Sequence, residues 1–323
     1  LMSSAFASGV SSEELLRYHQ ETTLEAGRAG GWDPVARLED MAVDGVVAEV
    51  LYTSVGFGLL GLLDGPFQVA LFRAYNDWLA EFCRHAPARF AGLGMIPLLE
   101  VEAGVKELQR CAKMGLKGAL IMASPPPGHS FTSQEYDPFW AAAEALQMPV
   151  SLHASTGHGP ESQDKTRSRY QTKMCGPHEI QRSLIDLIFA GVLERFPTLK
   201  LVSAENDIGW IPHFLATADY YFHKYRHYEP TQLTMPPSSY WNRQIYATFM
   251  DDAVGVELTH HVGRDTYMWA SDYPHTQSTW PRSRQVIAKN FATVSDEVCH
   301  NIVWNNVTRL YDFDLSAVDP GGI

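Results

Sequence analysis

The 323-residue sequence is 45% hydrophobic and 19% charged with a formal net charge of −12, an ordinary globular composition with enough apolar mass for one substantial core. The acidic balance, with no basic run, argues against a nucleic-acid-binding face, and no stretch reaches the roughly 20 apolar residues that a membrane helix needs. Four cysteines (Cys83, Cys111, Cys175 and Cys299) are scattered singly, which excludes a disulfide scaffold or a Cys-x-x-Cys zinc module and points to a reducing compartment, the cytoplasm.

Asp33-Pro34 supplies an N-cap and a first-turn proline for a helix over 33–43. VVAEVLY (46–52) reads as a strand, and 67–85 as a helix with Phe67, Leu71, Tyr75, Trp78 and Phe82 at helical spacing. Strand RFAGLGMIP (89–97), a helix over 100–114 closed by Gly115, strand KGALIMA (117–123), a helix over 136–147 and strand MPVSLHA (148–154) follow. Residues 155–177 are polar and read as an irregular insertion loop, long enough for a lid or a dimer contact. Beyond them the pattern predicts helix 178–194, strand LKLVSAE (199–205), helix 209–225, a Pro-containing loop and strand QIYATF (244–249). Helix 252–262, strand TYMWAS (266–271) and helices over 281–291 and 295–310 complete the chain.

Strands that alternate with helices and are apolar throughout indicate a parallel sheet buried on both faces. Seven such strands exceed the five or six usual in a doubly wound sheet and approach the eight of a closed barrel. No Gly-x-Gly-x-x-Gly follows the early strands, which removes the main support for a dinucleotide-binding sheet. The expected architecture is a single TIM-like (β/α)8 barrel domain over 1–323, with strand 1 missing from the count.

A parallel barrel places its active site at the C-terminal strand ends. Three ionisable residues arrive there independently: His153, Glu205 and Asp272. Each has an ordinary reading: a hydrogen-bonded core histidine, a cap for the helix near Gly209, and a turn cap before Pro274. Together, imidazole and carboxylate form a common ligand set for zinc and similar divalent ions. His275 follows Asp272 closely enough to orient substrate. His158 lies in the polar loop, a candidate for substrate binding or plain solvation. His260-His261 suits a helix end, and His223 and His227, four apart without a carboxylate nearby, read as surface. Trp210, with Tyr220, Tyr221 and Tyr225, reads as packing of a helix on the barrel, and Trp210 and Trp280 are retained as substrate-binding candidates.

The segments RFAGLGMIPL (89–98), PVSLHAS (149–155), ENDIGWIPHFL (205–215), MWASDYPHTQSTWPRS (268–283) and NIVWNNVTRLYDF (301–313) resemble the amidohydrolase-2 family, a group that includes decarboxylases of small carboxylated substrates. The resemblance implies one divalent metal, zinc first and manganese second. Its ligands would be a His-x-His on the first strand, a fifth-strand histidine matching His153, and an aspartate after the eighth strand matching Asp272. It also implies proton transfer by Asp272. Two departures stand out. No His-x-His occurs near the N-terminus, and with Leu at position 1 the expectation is that strand 1 lies upstream of residue 1. Where the decarboxylases carry a histidine at the end of strand six, this chain has Glu205.

The expected function is a metal-dependent hydrolase or non-oxidative decarboxylase of a small aromatic or carboxylated molecule, working as a homodimer. The alternatives are a hydratase or C–C hydrolase of a ring-cleavage product, and a metal-free barrel acting as a binding scaffold.

Overall fold

Seven parallel strands lie side by side in sequence order in the computed structural model, which describes residues 3–11, 14, 27–159, 164, 166–316 and 318. They are β1 (Glu49–Leu51), β2 (Phe90–Met95), β3 (Gly118–Ile121), β4 (Val150–His153), β5 (Leu201–Ala204), β6 (Ile245–Phe249) and β7 (Tyr267–Trp269). Each pairs in parallel with the next, so every crossover is a helical one on the outside of a curled, TIM-like barrel sheet.

Alternation along the strands divides the core in two. Ala91, Leu93, Met95, Leu120, Val202, Tyr246 and Met268 point to one side and form the barrel interior. Ala119, Ile121, Val150, Leu152, Leu201, Ile245, Ala247 and Phe249 point to the other and pack on helix residues such as Leu108, Trp140, Leu184 and Leu187. Both rows are removed from water, which is why these strands lack a polar face in sequence.

Among the described residues β1 pairs only with β2, and β7 only with β6. A side chain ties the two ends together instead. Arg37, on the helix Pro34–Asp44, donates from Nε to Glu49 of β1 at 2.6 Å and from its terminal nitrogens to the carbonyls of Gly30 and Tyr273, each at 3.2 Å. Its guanidinium also lies over the Tyr273 ring at 4.4 Å. Asp40 on the same helix accepts from the Tyr273 hydroxyl and from Arg28, while its carbonyl takes the Trp280 indole N–H at 2.9 Å. Asp44 accepts from the Ser283 backbone at 2.9 Å. One amphipathic helix thereby fixes the whole stretch that follows β7.

The sequence reading differs from the structure in three places. The irregular segment ends at Ser168, not 177: helix Arg169–Phe189 starts on a capping box of Ser168 and Gln171 and continues through Gly176-Pro177, a pair that reads locally as a break. The loop before β6 contains the helix Pro237–Gln244, whose Tyr240 and Trp241 are fully buried; tertiary burial outweighs a polar, proline-led sequence. The helix expected over 252–262 stops at Glu257 and tightens into a 3₁₀ turn over Leu258–His260.

Arg37 and Glu49 are only 9% and 10% exposed, so removal of the cation strands a buried carboxylate. Arg37→Met is expected to destabilise the protein by about 3–5 kcal/mol in urea unfolding, and Arg37→Met with Glu49→Gln by clearly less. Equal losses in the two variants would show that the ion pair is not what the fold relies on.

Candidate active site

His153 is the last residue of β4 and points into the barrel mouth, 7% exposed. Its Nδ1–H donates to the Ala154 carbonyl at 2.9 Å, which turns Nε2 toward the centre of the site. The following turn is held by the Thr156 hydroxyl, which donates to the His153 carbonyl at 2.7 Å and accepts from the Ala123 N–H at 2.9 Å. Phe57 flanks the imidazole with ring centres 4.2 Å apart, and Tyr52 approaches at 5.5 Å. The imidazole is therefore clamped in plane and in tautomer.

Nε2 lies 3.0 Å from Oε2 of Glu205, the residue after β5. The backbone N–H of Glu205 is held by the Thr248 hydroxyl of β6 at 2.9 Å. Glu205 is not the cap of the next helix, Ile211–Tyr225, which has no side-chain cap. Asp252 holds the turn that leads into it, accepting from the N–H groups of Ile208 and Gly209 at 2.9 and 2.7 Å. The other Glu205 oxygen faces the ammonium of Lys173 at 3.4 Å. Across the mouth, Asp272 follows β7 and its Oδ2 accepts from Nδ1 of His275 at 3.0 Å.

Charge is balanced unevenly among these groups. Burial works to raise the Glu205 pKa, but the hydrogen bond and charge of His153, then Lys173 and His275, outweigh it and hold the carboxyl at about 2. Burial lowers the basicity of His153, yet the bond to Glu205 more than restores it and the net shift is upward. Asp272 moves the other way: burial lifts its pKa, the nearby Glu205 charge adds to that, and His275 opposes both. The hydrogen bond to Asp272 raises His275. The site therefore holds one carboxylate fixed as an anion and one that is drawn toward its acid form.

Four non-glycine residues at or just after strand ends have positive φ: Ser155 (62°), Glu205 (59°), Asp207 (53°) and Asp272 (56°). Left-handed backbone outside glycine is uncommon, and such residues gather where surrounding structure holds a side chain in a required direction. Here the backbone aims Glu205 and Asp272 at the mouth.

The structure brings together His153, Glu205, Asp272 and His275. Trp210 and Trp280 make packing contacts. The Trp210 indole donates to the Asn206 carbonyl at 2.8 Å and meets Trp241 edge-on, and Trp280 lies under Arg28 with 3.7 Å between guanidinium and ring. The His158 N–H is bound to the Ser124 hydroxyl at 2.9 Å, and its buried Nε2 has no hydrogen-bond partner among the described residues. Sequence reasoning missed Lys173, Phe57 and Tyr52. Lys173 sat in a stretch read as loop, and the two aromatics follow a strand as ordinary apolar residues.

The donor types suit a borderline divalent cation: an imidazole whose Nδ1–H is bound to the Ala154 carbonyl, so that Nε2 faces the site, and carboxylates beside it. Among the described residues no three His, Cys, Asp or Glu side chains are gathered as a ready-made metal cage.

A protein-family model described as amidohydrolase matches residues 18–313. The chain is 30% identical over 178 residues to the 2-amino-3-carboxymuconate-6-semialdehyde decarboxylase of Dictyostelium discoideum, covering 54% of this chain and 48% of that protein. The match thus spans about half the length of that relative. It is 24% identical to a gamma-resorcylate decarboxylase of Rhizobium radiobacter over 86% of each chain. Its fold is similar to the crystal structure of a dihydroxybenzoic acid decarboxylase from Polaromonas sp. JS666 with bound manganese and 2-nitroresorcinol, at a TM-score of 0.74 and 18% identity over 95% of this chain and 91% of that one.

The pairing of His153 with Glu205 sets a pH window in metal-free protein. Glu205, lowered from 4.5, contributes stability above that value and loses it as pH falls toward 2. His153, raised from 6.5, contributes fully below 6.5 and loses its part as pH rises through the folded-state pKa. In EDTA-treated protein the melting-temperature gap between wild type and Glu205→Gln should be widest between pH 4.5 and 6.5 and shrink as pH rises through the folded-state pKa of His153. A gap that is flat over that range would rule out the pair as a stabilising contact.

Proposed function

The chain belongs to the amidohydrolase family, a family of enzymes, and on that premise we propose that it is a metal-dependent non-oxidative decarboxylase of a small aromatic carboxylate. The observation that carries this reading is the gathering at one barrel mouth of His153 with Glu205 and of Asp272 with His275, in a chain that the amidohydrolase family model matches over residues 18–313.

His153 and Asp272 would hold a divalent cation, which when bound polarises substrate oxygen atoms. Manganese takes precedence over zinc in this proposal, because the structurally similar dihydroxybenzoic acid decarboxylase carries it. Burial raises the pKa of Asp272 in the metal-free site, and the Nδ1–H of His275 fixes the direction in which its carboxyl faces. As the bond from ring carbon to carboxylate breaks, the electron pair stays on the ring carbon, the Asp272 proton goes to that carbon, and CO₂ leaves. Glu205 stays charged and keeps His153 oriented.

No helix among the described residues is long and apolar enough to cross a membrane. The cytoplasm is the proposed compartment, supported by cysteines that are all unpaired. A homodimer is supported by the bare apolar side chains of Tyr170 and Met174 beside the mouth, 86% and 78% exposed.

Elemental analysis of the purified protein beside Asp272→Asn tests the reading. About one manganese or zinc per chain is expected, with less in the variant, and CO₂ release from 2,6-dihydroxybenzoate-type substrates should fall by about 10²–10⁴-fold when the proton donor is lost. Protein that takes up no metal after reconstitution would end the metalloenzyme proposal.

A further inference from the structure

Helix Arg169–Phe189 passes its second turn over the barrel mouth. Lys173 on that turn puts its ammonium 3.4 Å from Oε1 of Glu205, and its charge also acts on Asp207 and His275. The lysine is not consumed by these contacts. Its side chain remains 54% exposed, while Glu205 has its other oxygen on His153 at 3.0 Å. His153 and Lys173 thus share one carboxylate, and the half-exposed ammonium keeps donors open at the entrance to an otherwise acidic protein.

We propose that Lys173 is the specificity-determining residue that selects substrates bearing a carboxylate, by exchanging its contact with Glu205 for one with the incoming anion. The inference rests on the decarboxylase reading above and names the group that recognises the substrate's charge. A lysine suits this task because its ammonium is a compact charge on a flexible stem, able to swing from one oxygen to another without a fixed fork geometry. Glu205 then does two jobs: it keeps Lys173 near the mouth while the site is free, and its anionic charge repels a carboxylate that fails to engage the lysine. A charge-assisted hydrogen bond at a half-exposed position accounts for roughly tenfold in affinity. Lys173 is a residue of binding, so its loss should fall on carboxylates and spare neutral phenols.

Calorimetric titration of manganese-loaded wild type, Lys173→Met and Lys173→Arg with 2,6-dihydroxybenzoate and benzoate, and with resorcinol and phenol, tests this. Lys173→Met should lose roughly tenfold for the carboxylates and little for the phenols, and Lys173→Arg should recover most of the loss. The wild-type preference should also weaken as salt rises, with unchanged melting temperatures across the set. Equal weakening for acids and phenols, or no weakening at all, overturns the assignment of Lys173 while leaving the decarboxylase reading intact. Wild type that binds none of the carboxylates overturns both.

Discussion

The structure turns on Arg37. The sheet presents two ends, β1 and β7, and a single guanidinium reaches Glu49 at one and the Tyr273 carbonyl next to the other. Buried ion pairs are costly to form and costlier to break, because each charge needs the other once water is excluded. That dependence makes the arrangement specific. The helix Pro34–Asp44 has one seat, with Asp40 on Tyr273, Asp44 on Ser283 and the Asp40 carbonyl on Trp280. Asp272 lies one residue from this anchored point, so the direction of its carboxyl is inherited from contacts made on the far side of the backbone.

The opposite wall of the mouth is built differently. His153 is set by short-range bonds within its own turn, through Ala154 and Thr156, and by the Phe57 ring. Glu205 is set by the adjacent strand through Thr248. The two walls meet only across the site. One half is therefore rigid through local hydrogen bonds, and the other through a long-range clamp of sequence separation 236 between Arg37 and Tyr273.

Much of this was legible in the sequence. The seven apolar strands stood out because both faces of a parallel barrel sheet are buried, so each strand is a continuous apolar run. His153, Glu205 and Asp272 stood out because they interrupt or end those runs. What stayed hidden was tertiary. Nothing local announces that Lys173 faces Glu205 across 32 residues, or that Phe57 lies on the imidazole. Gly176-Pro177 gave a false stop inside helix Arg169–Phe189 because a proline penalty is read locally, whereas a 21-residue helix packed on the barrel absorbs it. Trp210 and Trp280 carried an open reading in sequence, and the structure adds what sequence could not show, that their ring nitrogens are bound to backbone carbonyls.

The left-handed backbone at Ser155, Glu205, Asp207 and Asp272 has an implication for how this mouth can change over evolution. Such a conformation tolerates glycine, asparagine and aspartate with little penalty but resists branched side chains. Exchanges among short polar residues are therefore open at these four positions, and drift toward valine, isoleucine or threonine is closed whatever the surrounding space allows. A lineage carrying this barrel can retune charge at the rim one proton or one amide at a time, while the route to an apolar rim is barred by the backbone itself.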